Sequence, residues 1–295
     1  MSKPSQLREK VSALRASGKS TSDIARELGC NYRTVQRLVA KPKDEKPKWV
    51  PKKEIILADV HIPEEDESAL KAAIDYGKSV KPDLVFLQEV MELGKVSSWP
   101  KDPSKISLKE EIIQGRTFLK RIRDAFPHSK ILLLLTNHDR RLENYLWNKA
   151  PELYGIDGVT VAEQLKLKEY EIEAIDSVKY IEEHGKPYKV GELYHIHGDE
   201  FRMGSGTINV CRTMLLRSFV NLVMGHWHAT QEYIQKRANG DLMGAWSVGC
   251  LRTLNPRFSP LNRWNHGLAE IDYSPAGEFQ VWNLKIQNGR VLGNV

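Results

Sequence analysis

Five short clusters of histidine, carboxylate and amide side chains recur along the chain: Asp59-Val60-His61, Gln88-Glu89-Val90-Met91-Glu92, Thr136-Asn137-His138-Asp139, His197-Gly198-Asp199 and Gly225-His226-Trp227-His228. Together they hold five of the nine histidines. Imidazole, carboxylate and amide oxygen form a donor set for divalent ions such as Mn²⁺, Fe, Zn²⁺ or Mg²⁺. Two such ions about 3.5–4 Å apart, joined by a carboxylate bridge, are a recurrent arrangement for phosphoester hydrolysis. A lone D-x-H triplet arises by chance in many proteins, whereas five clusters in order, each behind an apolar run, are specific. His128, His184, His195 and His266 read as ordinary hydrogen-bonded residues. His195 stands two residues before His197, so alternation predicts a shared strand face and a supporting position. Asp139 and Asp199 are expected to orient ligands or to lie at the surface.

Apolar runs that look like buried strands precede the clusters: Ile55–Ala58, Leu84–Leu87, Ile131–Leu135, Leu193–His197 and Leu222–Met224. Amphipathic helices are predicted over Glu67–Val80 and about Leu108–Phe126, between the first three of them. Strand–helix–strand repetition with short, wholly apolar strands implies a sheet buried on both faces. Open α/β sheets place their sites just past the C-terminal ends of such strands. Further strands are predicted at Gly244–Val248, Leu268–Tyr273 and Phe279–Ile286, with Asn288-Gly289 turning into a last one. The expected fold class is α/β, a layered core whose second half leans antiparallel.

The first forty residues follow a different pattern. Leu7, Val11 and Leu14 mark a helix from Ser5 to Ala16. Thr21 is placed to cap a second helix carrying Ile24, Ala25 and Leu28, which Gly29 ends. Asn31 is placed to cap a third, with Val35, Leu38 and Val39 inward and Tyr32, Arg33, Gln36 and Arg37 outward. Two short helices joined by Gly29-Cys30-Asn31 have the spacing of a helix-turn-helix. Arginine and glutamine suit base edges and phosphates. A small helical assembly module is the competing reading. Residues 41–53 are rich in proline and lysine and read as an extended linker. The boundaries are therefore 1–40 for the helical domain, 41–53 for the linker and 54–295 for the catalytic domain.

Charge divides along the same line. Residues 1–53 carry 14 Lys and Arg against 5 Asp and Glu, while the remainder carries 30 against 33. The net +6 of the chain thus arises at its N-terminal end, as a polyanion-binding module requires. Cys30, Cys211 and Cys250 are too few and too scattered for a disulfide framework and point to a reducing compartment. No stretch approaches the roughly 18 apolar residues of a bilayer span, and Met1–Ser5 lacks a signal-peptide core. A cytoplasmic location with no membrane partner is expected.

The order D-x-H, (G)-D-x-x-D, (G)-N-H-D/E, H-G and G-H-x-H resembles the signature of the calcineurin-like metallophosphoesterases, over roughly residues 54–295. His61-Ile62-Pro63, Ser97–Pro103, Tyr145-Leu146-Trp147-Asn148 and Gly249-Cys250-Leu251 are similar to a subgroup often encoded by phages and prophages, with a helix-turn-helix in front. The resemblance implies a layered sandwich of mixed sheets flanked by helices. It implies two divalent ions, manganese foremost. Asp59, His61 and His228 would hold one ion, Asn137, His197 and His226 the other, and Glu89 would bridge with help from Asp59. It further implies hydrolysis of phosphoesters by a bridging hydroxide, with Asp59 and His138 catalytic and His138 protonating the leaving oxygen or clamping the transition state. Gln88, Glu89, Glu92 and Thr136 depart from the pattern's glycines and aspartates, with longer carboxylates and no glycine at either strand end. The expected activity is hydrolysis of nucleic acid or nucleotides, with a homodimer as one means of reading a longer DNA site. A DNA-binding protein with an impaired phosphoesterase domain, and a phosphatase of small nucleotides or phosphoproteins, are the alternatives.

Overall fold

The computed structural model describes residues 3–39, 49–201 and 208–293. The chain falls into two compact units, Met1–Lys46 and Pro47–Val295.

In the first unit, α1 (Lys3–Ala16), α2 (Thr21–Glu27) and α3 (Tyr32–Val39) enclose a core of Val11, Ile24, Ala25 and Val35. These are the inward positions of the helical period. The cap of α2 differs from expectation. Ser20 takes the N-cap, its hydroxyl accepting from the Asp23 amide, and Thr21 is the first helical residue. Serine is the better-ranked cap of the two adjacent hydroxyl residues. Gly29 adopts φ +60° where α2 ends. The Asn31 side chain accepts from the Arg33 amide at 2.9 Å and so opens α3. Tyr32, Arg33 and Gln36 are exposed on α3, while the side chain of Arg37 lies outside the described residues.

The second unit begins with β1 (Lys53–Ala58), α4 (Glu67–Val80), β2 (Leu84–Gln88), α5 (Leu108–Ala125) and β3 (Lys130–Leu135). It continues through α6 (Arg141–Lys149), α7 (Val161–Gln164), β4 (Ile172–Asp176), α8 (Ser177–His184), β5 (Tyr188–Val190) and β6 (Leu193–Ile196). The last elements are α9 (Val210–Ser218), β7 (Leu222–Met224), β8 (Gln231–Lys236), β9 (Leu242–Ser247), β10 (His266–Tyr273), β11 (Phe279–Gln287) and β12 (Arg290–Leu292). Lys52 and Lys53, the last residues assigned to the linker, donate their amides to Asp83 and start the first sheet instead. Residues 40–48, most of that linker, lie outside the described residues.

Both sheets are mixed. One has the order β12-β11-β10-β1-β2-β3-β4, and the other β5-β6-β7-β9-β8. The predicted antiparallel lean of the second half is correct for β10–β12, which extend the first sheet antiparallel from β1. It is not correct for β6, β7 and β9, which run parallel.

Alternation sorts the strand residues into layers. Ile55, Leu57, Val85, Leu87, Ile131 and Leu133 face one core with α4 and α5. Ile56, Ala58, Leu84, Phe86, Leu132 and Leu134 face another, which they share with Leu193, Val223, Trp246 and Val248 from the second sheet and its margin. Beyond that sheet, Ile196, Leu222, Met224 and Ala245 pack on Cys211, Met214 and Leu215 of α9. Two sheets therefore lie face to face between helices. Each fully buried aliphatic side chain contributes about 1.5–3 kcal/mol to this layering.

Candidate metal centre

Each of the five clusters occupies the turn after a strand: β1, β2, β3, β6 and β7 in that order. Parallel pairing of β1 with β2 and β3 brings three of these ends to one edge of the first sheet. Parallel β6 and β7 do the same in the second sheet. Contact between the sheets then joins the two edges, and residues far apart in sequence, such as Asp59 and His228, meet there.

The turns are sharp. Asp59, His61, Glu89, His226 and His228 have φ of +53°, +54°, +51°, +66° and +54°. A left-handed conformation costs an L-residue roughly 1–2 kcal/mol, so surrounding bonds must hold it. Here the Asp59 amide donates to the Gln88 carbonyl at 2.9 Å and the Val60 amide to the Glu89 carbonyl at 3.0 Å. The Leu251 amide donates to the Asp59 carbonyl at 3.1 Å, and the Asn265 amide to the His228 carbonyl at 2.8 Å. Five strained residues in one place are characteristic of a functional site. Gly225 completes the close approach. A Cβ there would lie 2.7 Å from Asp59 Oδ2 and 3.0 Å from Gln88 Oε1.

Two carboxylate oxygens form the middle of the centre. Glu89 Oε2 lies 3.2 Å from His61 Nε2 and 3.1 Å from His197 Nε2. Asp59 Oδ1 lies 3.4 Å from His228 Nε2 and 3.9 Å from both His61 Nε2 and His197 Nε2. His61 and His228 bring their Nε2 atoms within 3.2 Å of each other, and His226 Nδ1 is 3.3 Å from His197 Nε2. The donor atoms of Asp59, His61, Glu89 and His228 form one group of metal-ligand dimensions, and those of Glu89, His197 and His226 a second. Glu89 belongs to both. Asn137 sits between Thr136 and His138, whose hydroxyl and amide each donate to Glu89 Oε1 at 2.9 and 3.0 Å. The Asn137 Oδ1 atom is buried with no hydrogen-bond partner, as a cation ligand would be. The donor set, its burial and this orphaned oxygen fit divalent metal.

The protonation balance is that of a tight ionic cluster. Burial pushes the Asp59 and Glu89 carboxyls up, yet the facing histidines outweigh it and hold both below their ordinary values, Glu89 well below. Burial opposes charge on His61 and His197, but Glu89 outweighs it and raises them to about 9 and about 10. Burial, with His197 adding to it, depresses His226 to about 4. Burial likewise lowers His138 and His228.

Around this centre stand partners that the sequence motifs do not assign. Glu92 is the hub among them. Its Oε2 lies 2.8 Å from His61 Nδ1, 3.3 Å from His138 Nδ1 and 3.3 Å from Arg252 Nη1, and its Oε1 accepts from Arg141 at 2.9 Å. Arg141 also reaches His138 Nε2 at 2.9 Å. Glu92 is visible in sequence as the second carboxylate of its cluster, and Arg141 as a cation shortly after Asn137. Arg252 carries no such signal. Asp139 is buried and accepts from the Met91 and Thr136 amides, which makes it an orienting residue. Asp199 pairs with Arg140 at 2.9 Å.

One expectation fails. His195 does not support His197. The strand ends at Ile196 and the chain turns at Gly198, φ +123°, so the two rings part. His195 instead meets Glu54 Oε1 at 2.8 Å, and packs on Phe86 between the sheets. The same Glu54 carboxylate accepts from Tyr273 at 2.6 Å.

Among known proteins, the family model of the homeodomain-like domain matches residues 4–46. The Gene 54 protein of Mycobacterium phage L5 is 25% identical over 190 residues, covering 60% of this chain and 69% of the phage protein. Among solved structures, Vacuolar Protein Sorting 29 from Cryptosporidium parvum aligns at 11% identity with a TM-score of 0.42, over 83% of this chain and 96% of that one. Among the described residues no helix is long and apolar enough to cross a membrane. The first unit is thus a homeodomain-like helix-turn-helix, joined to a mixed α/β unit in a chain similar to a phage protein.

Proposed function

We propose that the chain is a metal-dependent phosphoesterase of the calcineurin-like type, directed to nucleic acid by its N-terminal helices. The observation that carries this reading is the convergence of Asp59 and Glu89 with His61, His197, His226 and His228 at the facing ends of two sheets. In this reading Asp59, His61 and His228 would hold one ion and Asn137, His197 and His226 the other, with Glu89 shared between them. Bound divalent ions supply Lewis acidity toward a phosphoryl oxygen and a water acidic enough to ionise near neutral pH.

The chain's own residues supply the remainder. Thr136 and the His138 amide fix the free oxygen of Glu89. Glu92 fixes the His61 ring through Nδ1, which aims Nε2 at the centre. On this reading His138, whose Nδ1 lies 3.3 Å from Glu92 and whose Nε2 meets Arg141, delivers a proton to the leaving oxygen once Arg141 has turned to the phosphate charge. The test is hydrolysis of bis-p-nitrophenyl phosphate by the purified full chain with added Mn²⁺, alongside metal analysis. A protein that binds no divalent ion at millimolar concentration would sink the assignment.

Nucleic acid is favoured as the substrate class by the homeodomain-like match and by the concentration of basic charge in residues 1–53. On this reading Tyr32, Arg33, Gln36 and Arg37 are the DNA-facing residues of α3. Arg33→Ala with Arg37→Ala should weaken duplex binding by the full chain. It should also flatten the salt dependence by about one counterion per lost phosphate contact. Binding and salt slope equal to wild type would make the helices an assembly module.

A second reading, a DNA-binding protein with an impaired centre, is favoured by Gln88. Both of its amide atoms are buried without partners beside Asp59 and Gly225, where a glycine would leave room. Gln88→Gly combined with Glu89→Asp and Glu92→Asp should then tighten Mn²⁺ binding and raise turnover. Unchanged or lower turnover would show that the surrounding residues are adapted to the longer side chains.

A further inference from the structure

We propose that the rim of the metal centre is a stacking platform for unpaired nucleobases, formed by Trp99 and Phe258, so that the phosphoester it receives lies in a single strand. This rests on the phosphoesterase reading above and narrows its substrate. The platform comprises two loops rooted in the centre. The first, residues 97–107, follows Glu92 and the helical turn Gly94–Val96. The second, residues 252–265, begins at Arg252, which lies 3.3 Å from Glu92, and ends at Asn265, whose amide donates to the His228 carbonyl.

Each loop displays a large aromatic ring to solvent. Trp99 is 73% exposed and Phe258 72%. In the second loop the ring continues a ladder that starts at the centre. His228 meets Trp264 at a ring separation of 4.3 Å, and Trp264 meets Phe258 at 6.0 Å. The Arg252 guanidinium lies over both Trp264 and Phe258, at 5.4 and 5.5 Å. In the first loop, Lys101 lies over the ring of Tyr145, one turn along α6 from Arg141.

Neither loop is loose. Lys95 donates to the Asp102 carbonyl at 2.8 Å, Ser97 accepts from the Trp99 amide at 3.1 Å, and Lys105 pairs with Glu64 at 2.7 Å. In the second loop, Asn262 donates to the Ser259 carbonyl at 2.8 Å and accepts from the Trp264 amide at 2.9 Å. The backbone that carries the rings is therefore fixed before any ligand arrives, which lowers the entropy lost on binding.

Charge identifies the occupant. The two loops contain Lys101, Lys105, Arg252, Arg257 and Arg263 against one acid, Asp102. The loops meet at Glu64, whose carboxylate pairs with Lys105 of the first at 2.7 Å and whose carbonyl accepts from the Thr253 amide of the second at 2.8 Å. Exposed rings among cations, continuous with a phosphoester-cleaving centre, match an anionic strand whose bases present open faces. Duplex bases do not offer those faces, and base–aromatic stacking tolerates any sequence.

The experiment uses the full chain and fluorescein-labelled hexathymidylate, read by anisotropy at low salt, with unlabelled hairpin duplex in excess to occupy the N-terminal helices. Trp99→Ala and Phe258→Ala should each weaken strand binding about 10-fold or more, as the loss of one stacked base does. Trp99→Tyr should restore most of it. Leu261→Ala, at the 97% exposed apolar tip of the same loop as Phe258, should bind like wild type. With cleavable oligonucleotide the loss in kcat/KM should exceed that on bis-p-nitrophenyl phosphate at least about 10-fold. Strand binding equal to wild type in both alanine variants would overturn the platform and leave the rings to a protein partner. If wild type bound the strand through these rings yet hydrolysed no ester, the platform would stand and the phosphoesterase reading would fall.

Discussion

His226→Ala combined with His228→Ala is expected to abolish stable metal binding. The pair contributes a donor to each of the two groups that meet at Glu89, so neither group keeps its full set. Losing a residue that merely orients a ligand typically weakens metal binding 10–100-fold, so losing two direct donors should weaken Mn²⁺ by more than about 100-fold. Thermal unfolding reports the same event. A metal at 100 times its dissociation constant stabilises the folded state by about 2.7 kcal/mol, roughly 5–10 °C for a unit of this size. The wild type should show that rise on adding Mn²⁺ and the variant should not. In metal-free buffer the variant should unfold at a lower temperature than wild type, because buried Asp59 loses the His228 ring that offsets its burial, so the readout is the Mn²⁺-induced rise within each protein. The bonds from the His226 amide to Asp59, 3.1 and 3.0 Å, belong to the backbone and survive the substitution. Alanine also bears the same left-handed strain at both positions. Metal-dependent stabilisation retained in the double variant would place the ion elsewhere in the chain.

The second large effect concerns His138. His138→Ala should retain metal and lose about 10²–10⁴-fold in rate on esters with poor leaving groups, the usual contribution of a positioned acid. On p-nitrophenyl esters the loss should be smaller, because p-nitrophenolate departs without a proton. The geometry makes this a sharp test. The ring stands with Nδ1 3.3 Å from Glu92 Oε2 and Nε2 2.9 Å from an Arg141 nitrogen. Carboxylate on one nitrogen and substrate on the other is the arrangement in which an imidazole works as acid or base. Arg141 donating to Nε2, together with the burial that lowers His138, instead describes a neutral ring at rest. A substrate phosphate must therefore draw the guanidinium aside before Nε2 carries a proton. An equal loss on both ester classes would mean that the ring and Arg141 act by holding phosphate in place.

The five polar clusters are legible in the sequence because each trails a short apolar strand. Strands buried on both faces leave that record in the chain, and β1, β2 and β3 are such strands. Helix α4 is legible to the residue, since its apolar spacing is uninterrupted and Asp66 caps it. Elements with one wet face or at a sheet edge leave a weaker trace. β8 alternates as Gln-Glu-Tyr-Ile-Gln-Lys, half exposed, and β4 reads Ile-Glu-Ala-Ile-Asp. Neither stands out from its surroundings by pattern alone, and the same holds for α6, α8 and α9.

The donor types, their order, the strand ends that carry them and the basic helical module at the N-terminus are properties of the sequence alone. They are local, set by side-chain chemistry and by periods of two or about 3.6 residues. Which of those groups meet is a matter of tertiary structure. The distance from Glu89 to both His61 and His197 depends on two sheets packing face to face. The role of Glu92, held between His61, His138, Arg141 and Arg252, depends instead on the parallel order of β1, β2 and β3 and on the loop that precedes β10. His195 and His197, alike in spacing and type, go to different places because the strand ends between them. Contacts across 31, 49 or 160 residues follow from strand order and from which face of each sheet is buried, and no local period records either.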